Sequence, residues 1–154
     1  MTTVGFNFTK IFAERKMASD QNIKIENNVG IVSVVESDVL DPKKSLVKFD
    51  FTFTCKYEPG LGSIELYGEL IEMFDKELSS KVIDAWNKDK KVHPDIMTRI
   101  LNTVLMRANI EAIIMSKELA LPSPVAMPKV EVKEQKSETK FEKLEPKKPE
   151  QKKK

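Results

Sequence analysis

The chain holds a single cysteine, Cys55, and a single histidine, His93. One cysteine excludes an intramolecular disulfide and any zinc site built on thiolates. One histidine leaves a Ser/His/Asp arrangement nothing to rest on but His93, and a residue directly before Pro94 suits a helix cap or a loop. Glycine is also scarce, and "GFNF", "GLG" and "GEL" make neither a dinucleotide fingerprint nor a phosphate loop. Glu65 and Glu69 are expected on the wetter face of one strand, joined by Glu72 if the strand end twists. Paired carboxylates on such a face serve solubility far more often than acid–base catalysis. No enzyme, cofactor or metal site is expected.

A long uninterrupted apolar run is missing too. The richest stretch, Ile96 to Leu121, is broken by Arg99, Arg107, Glu111, Lys117 and Glu118, which argues against a membrane span. The opening "MTTVGFNFTKIFAERK" lacks the basic and apolar regions of a secretory leader. The expectation is a soluble, cytoplasmic protein.

Charge divides the chain. Residues 131–154 carry nine Lys and six Glu, whereas the whole chain is only +2, so residues 1–130 are close to neutral at −1. A segment so rich in Lys, Glu and Pro buries too little surface to offset its chain entropy. We expect one folded domain over 1–130 and a disordered tail over 131–154. A near-neutral domain shows no basic nucleic-acid face at the level of net charge. The terminal "KKPEQKKK" does offer RNA, a ribosome or an acidic partner an electrostatic handle, weakened by interspersed glutamates.

The strongest positive signal is alternation. In "SLVKFDFTFTCKY", Val47, Phe49, Phe51, Phe53, Cys55 and Tyr57 alternate with polar residues, which predicts a strand with one buried face. The turn "EPGLG" follows, then "SIELYGELIEM" with Ile64, Leu66, Gly68 and Leu70 on one side, so the two runs form a hairpin. Upstream, "VGFNFTKIFAE" reads as a first strand. "NIKIENNVGIVSVVES" reads as a second, interrupted at Asn27, Asn28 and Gly30 by a bulge or a break. Past Met73 the period becomes helical: a surface helix carries Leu78, Val82, Ala85 and Trp86, and a longer one runs from Pro94 to about Leu119. The fold class is α+β, a four-stranded antiparallel sheet followed by two helices.

The long helix is apolar over more of its surface than one sheet can cover, which points to a second buried surface, most simply a subunit interface. Cys55 and Trp86 are expected in the core. Phe6, Phe8, Phe49, Phe51, Phe53 and Tyr57 fall on sheet faces. Base stacking by such aromatics belongs to folds that alternate helices with strands, and here the strands come first. Met97, Met106, Met115 and Met127 fill a core or line a surface that accepts many apolar sequences. After the long helix, "LALPSPVAMPKV" is apolar and punctuated by prolines, unlike a flexible linker. It is expected to lie extended as a strap docked on the domain.

The order of four strands, a short helix, a long apolar helix and a Pro-rich segment resembles the SecB export chaperones over residues 4–130. The stretches "FNFTKIFAER", "NNVGI", "KFDFTFTCKYEPGLGSIELYGEL", "ILNTVLMRANIEAIIMS" and "LPSPVAMPKV" are similar to an archaeal family of small proteins with SecB-like architecture. The resemblance implies helices on one side of the sheet, dimers or tetramers, and ATP-independent binding of unfolded, extended segments in apolar grooves. Met106, Ile110, Leu121, Val125 and Met127 are the candidate polypeptide-binding residues. SecB proteins are generally acidic and this domain is not, so no motor-docking surface carries over. The competing expectation is a ribosome- or RNA-associated factor that docks through its lysine tail and folded domain, and a third is the partner of one dedicated protein.

Overall fold

A computed structural model describes residues 1–16, 22–126 and 128. The tail over 131–154 and Met127 lie outside the described residues. Four long strands come first: β1 (Thr2–Arg15), β2 (Lys24–Asp38), β3 (Lys44–Glu58) and β4 (Gly62–Asp75). Two helices follow, α1 (Lys76–Asp89) and α2 (Pro94–Glu118). The strands form one antiparallel sheet in the order β1-β4-β3-β2. Thus β2, β3 and β4 make a meander, and β1 lies beside the last of them as in a Greek key.

The expected fold class is found. Along β3, every residue of the set Ser45, Val47, Phe49, Phe51, Phe53, Cys55 and Tyr57 is buried and every intervening residue from Leu46 to Lys56 is not. The same alternation runs along β4 from Ile64 to Phe74. Both central strands turn one face toward the helices. That face carries two apolar clusters. One gathers Phe49, Phe51, Leu70, Phe74, Val82, Trp86, Ile100 and Val104. The other gathers Phe53, Cys55, Tyr57, Ile64, Leu66, Ala108, Ala112 and Leu121. The aromatics Phe49, Phe51, Phe53 and Tyr57 are therefore packed under helices, where no base can stack on them.

Two expectations are corrected. The second strand is not interrupted at Asn27, Asn28 or Gly30, which pair regularly with Cys55, Thr54 and Thr52. Its register shift falls between Ile31 and Ser33, so the bulged residue is Val32, exposed at the sheet edge. Glu72 does not join Glu69 on the open face. Strand β4 stays regular through Phe74, so Glu72 keeps the parity of Ile64 and Leu70 and points into the helical layer, fully buried. Thr3 on β1 donates its hydroxyl to this carboxylate.

Helix α1 begins directly where β4 ends and closes on Lys90 in the left-handed region, whose N–H bonds Trp86 O at 2.9 Å. Helix α2 opens as its sequence dictates. His93 is the N-cap, its Nδ1 accepting from the Asp95 N–H at 3.3 Å, with Pro94 in the first turn and Asp95 at the positive end of the helix dipole.

Candidate polypeptide-binding surface

Helix α2 buries a ladder of residues four apart: Ile100, Val104, Ala108, Ala112 and Ser116. Side chains at i and i+4 lie on one face, and this face meets the sheet. The side chains shrink along the ladder, which suits close packing of the C-terminal half against β4 and β3. On the opposite face runs a second ladder, Met106, Ile110 and Ile114, exposed at 62%, 57% and 44%. Apolar side chains in a row facing water are unusual for a helix that packs on one sheet. The excess apolar surface expected from the sequence is thus localised to one stripe. Two predicted binding residues, Met106 and Ile110, sit in it. Ile114 extends the stripe by one turn, and its spacing of four from Ile110 is the sequence signal that marks it.

A cleft of about 420 Å³ opens between α1 and the start of α2, lined by Leu78, Val82, Ala85 and Ile96 with Lys81, His93 and Asp95 at its rim. Its floor is the apolar stripe of α1, and Trp86 lies deeper in the core with Lys90 over its ring at 5.4 Å.

The segment after α2 is docked, as its sequence suggests. It crosses the ends of all four strands. Arg15 on β1 donates Nη1 to Leu119 O at 3.2 Å and also to Ala120 O. Leu121, only 7% exposed, seats beside Gly62 at the start of β4. A Cβ at Gly62 would lie 3.3 Å from the Leu121 methyl and collide with Glu14 O, so the bare backbone here makes the seat. Tyr57 on β3 donates its hydroxyl to Pro122 O at 2.7 Å, and Asn27 on β2 donates Nδ2 to Pro124 O at 2.8 Å. Leu121, expected on the binding surface, is therefore part of the core, because the strap turns its side chain inward beside the bare backbone of Gly62. Val125 is half-buried, with Ser123 Oγ bridging its carbonyl at 2.7 Å.

The middle of the sheet's open face is polar and cross-linked, with Phe12 and Val35 exposed toward its edges. Lys48 lies 3.6 Å from both Asp50 and Glu69, Asn7 donates to Glu69 at 3.3 Å, and Tyr67 donates to Glu65 at 3.2 Å. Hydrogen bonding to the Glu65 carboxylate holds the Tyr67 hydroxyl above its ordinary pKa. On the helix-covered face, burial pushes the Cys55 thiol up, so it is a poor nucleophile in its apolar setting. Burial likewise keeps the Tyr57 hydroxyl protonated and available as a donor. Among the described residues no group of three or more His, Cys, Asp or Glu side chains could hold a metal ion, and no helix is long and apolar enough to cross a membrane.

Fold and surface together define an α+β protein with one sheet face covered by helices and an apolar stripe left on the solvent side of α2. No protein-family model matches the chain, and no curated protein matches it. Among solved structures it is similar to the Mycobacterium tuberculosis SecB-like chaperone Rv1957, in complex with a ChAD peptide from the Rv1956 HigA1 antitoxin. The identity is 10%, the match covers 84% of this chain and 89% of that one, and the TM-score is 0.49.

Proposed function

We propose that this chain is a non-enzymatic, ATP-independent, SecB-like chaperone that binds unfolded or extended polypeptide segments in the cytoplasm. The observation that carries the reading is the solvent-facing ladder Met106, Ile110 and Ile114 on α2. Flexible and branched apolar side chains in a row accept many apolar sequences and need no nucleotide to do so. The same helix supplies the contact for a homo-oligomer, a dimer or tetramer, with clients meeting the margin of the stripe that assembly leaves open. Val125 on the strap, and Met127 further along the chain, extend this binding region, while Leu121 anchors the strap in the core. The test is aggregation of a reduced, unfolded model protein followed by light scattering. Suppression at a one-to-one ratio is expected, and none at a stoichiometric or higher ratio overturns the reading.

A second reading is favoured by the nine lysines of residues 131–154. A ribosome- or RNA-associated factor would co-sediment with ribosomal particles at low salt and lose them as salt rises or when 131–154 is deleted. Failure to co-sediment at low salt removes it.

A further inference from the structure

The strap is held in a particular manner. Three side chains from three strands, Arg15, Tyr57 and Asn27, donate to the main-chain carbonyls of Leu119, Ala120, Pro122 and Pro124. Recognition of carbonyls is indifferent to side-chain identity. It asks only that a segment be extended with its carbonyls facing the sheet. The single selective element is the seat beside Gly62, which takes Leu121. Prolines suit the remaining positions because they carry no N–H to leave unpaired against the sheet.

The root of the strap is the stop of α2. Ala120 sits at φ +50°, its N–H bonds Lys117 O at 3.2 Å and the Leu121 N–H bonds Ser116 O at 2.8 Å, the pattern of a Schellman turn. The strap therefore leaves the helix at one defined turn, and beyond it only the contacts with the sheet hold it. A seat that reads carbonyls, selects one apolar side chain and is filled by a segment attached only through a helix stop has the properties of a peptide groove occupied by its own chain.

We propose that the trough across the strand ends is a peptide-binding site occupied in cis by residues 119–125, and that its ligand in trans is an extended polypeptide segment with a leucine-like residue followed by prolines. This rests on the polypeptide-binding reading and names a site and a ligand class for it. The strap competes at an effective concentration on the order of millimolar, so the resting chain binds such a segment weakly and binding strengthens when the strap is unseated.

The test titrates a fluorescent peptide spanning residues 118–128 into the full chain, followed by polarisation. Leu121→Asp in the protein removes the anchor of the strap and leaves the trough intact. It is expected to bind the peptide at least tenfold tighter than the unaltered chain. Adding Asn27→Ala and Tyr57→Phe to that variant removes two donors, worth about fivefold each, and weakens binding roughly 25-fold. A Leu121→Asp protein that keeps its circular dichroism and binds no better than the unaltered chain overturns the proposal. If that variant fails to fold, hydrogen exchange on the unaltered chain decides. The Leu121 N–H bonds Ser116 O at 2.8 Å, and its exchange is expected to accelerate with millimolar peptide. Unchanged exchange at saturating peptide overturns the proposal. Peptide that binds the unaltered chain only by splitting a dimer assigns the trough to a second copy's strap and overturns the cis arrangement. Suppressed aggregation without peptide binding sinks the trough and leaves the chaperone reading standing, and peptide binding without suppression does the reverse.

Discussion

The Ser79 hydroxyl of α1 donates to the Glu36 carboxylate of β2 at 2.5 Å, tying the first helix to an edge strand. Ser79 is fully buried, and its bond, with the Lys76 charge, outweighs the opposing effect of burial and holds Glu36 below its ordinary pKa. A carboxyl lowered in the folded state stabilises the fold above the ordinary glutamate range and loses that contribution as pH falls through the lowered value. Ser79→Ala is expected to cost about 1 kcal/mol at neutral pH, with the gap to the unaltered chain narrowing as pH falls below the ordinary glutamate range. Urea denaturation at a series of pH values checks this, and a gap independent of pH contradicts it.

Thr3, Glu72, Val47 and Glu36 are successive partners in one rung across the sheet. Glu72 is fully buried, its Oε1 accepting from Thr3 and its Oε2 without a hydrogen-bond partner among the described residues. Thr3→Val leaves the carboxylate without that donor and is expected to destabilise by about 1–3 kcal/mol. Replacing both, Thr3→Val with Glu72→Leu, is expected to restore most of the loss, because no buried polar group then goes unpaired. A double variant less stable than Thr3→Val alone in urea denaturation refutes the account.

Gly68 faces the helical layer on β4, where a Cβ would sit 2.5 Å from the Phe51 ring and collide with the Asn7 carbonyl. Backbone on one side and a packed aromatic on the other leave nothing to yield. Gly68→Ala is expected to destabilise by about 2 kcal/mol or more, read as a lowered midpoint of thermal unfolding. Gly30 has open space at the same position, so Gly30→Ala serves as the control.

Met106→Asp with Ile110→Asp puts charge on the exposed ladder of α2. In an isolated chain these positions bury little, so the fold is expected to lose no more than about 1 kcal/mol, mostly helix propensity. Suppression of aggregation is expected to fall at least tenfold. Full suppression by the variant moves the client surface elsewhere.

Much of this architecture is legible in local pattern. The alternation through Phe49, Phe51 and Phe53 reveals both strand and buried face, because a period of two has no other use. His93-Pro94-Asp95 marks the start of α2, since a cap, a proline and an acid each suit one position. The prolines of the strap exclude a helix, and their apolar neighbours exclude a solvated linker. What stays hidden depends on distant partners. The pairing of β1 with β4 joins residues such as Thr2 and Met73, which nothing local connects. The buried carboxylate at Glu72 is disguised because charge normally marks the wet side, and only the donor at Thr3 makes the exception tolerable. The bulge at Val32 falls where no glycine or asparagine announces it. Leu121 looks available in sequence, and the strap turns it into the core beside the bare backbone of Gly62.

The strand order also sets a timetable for synthesis. The meander from β2 to β4 can pair as each strand leaves the ribosome, but β1, made first, has no neighbour until β4 is complete. Throughout that interval its Val4, Phe6, Phe8, Ile11 and Phe12 travel uncovered on an emerging chain. Of the four strands, β1 thus waits longest for its only sheet neighbour.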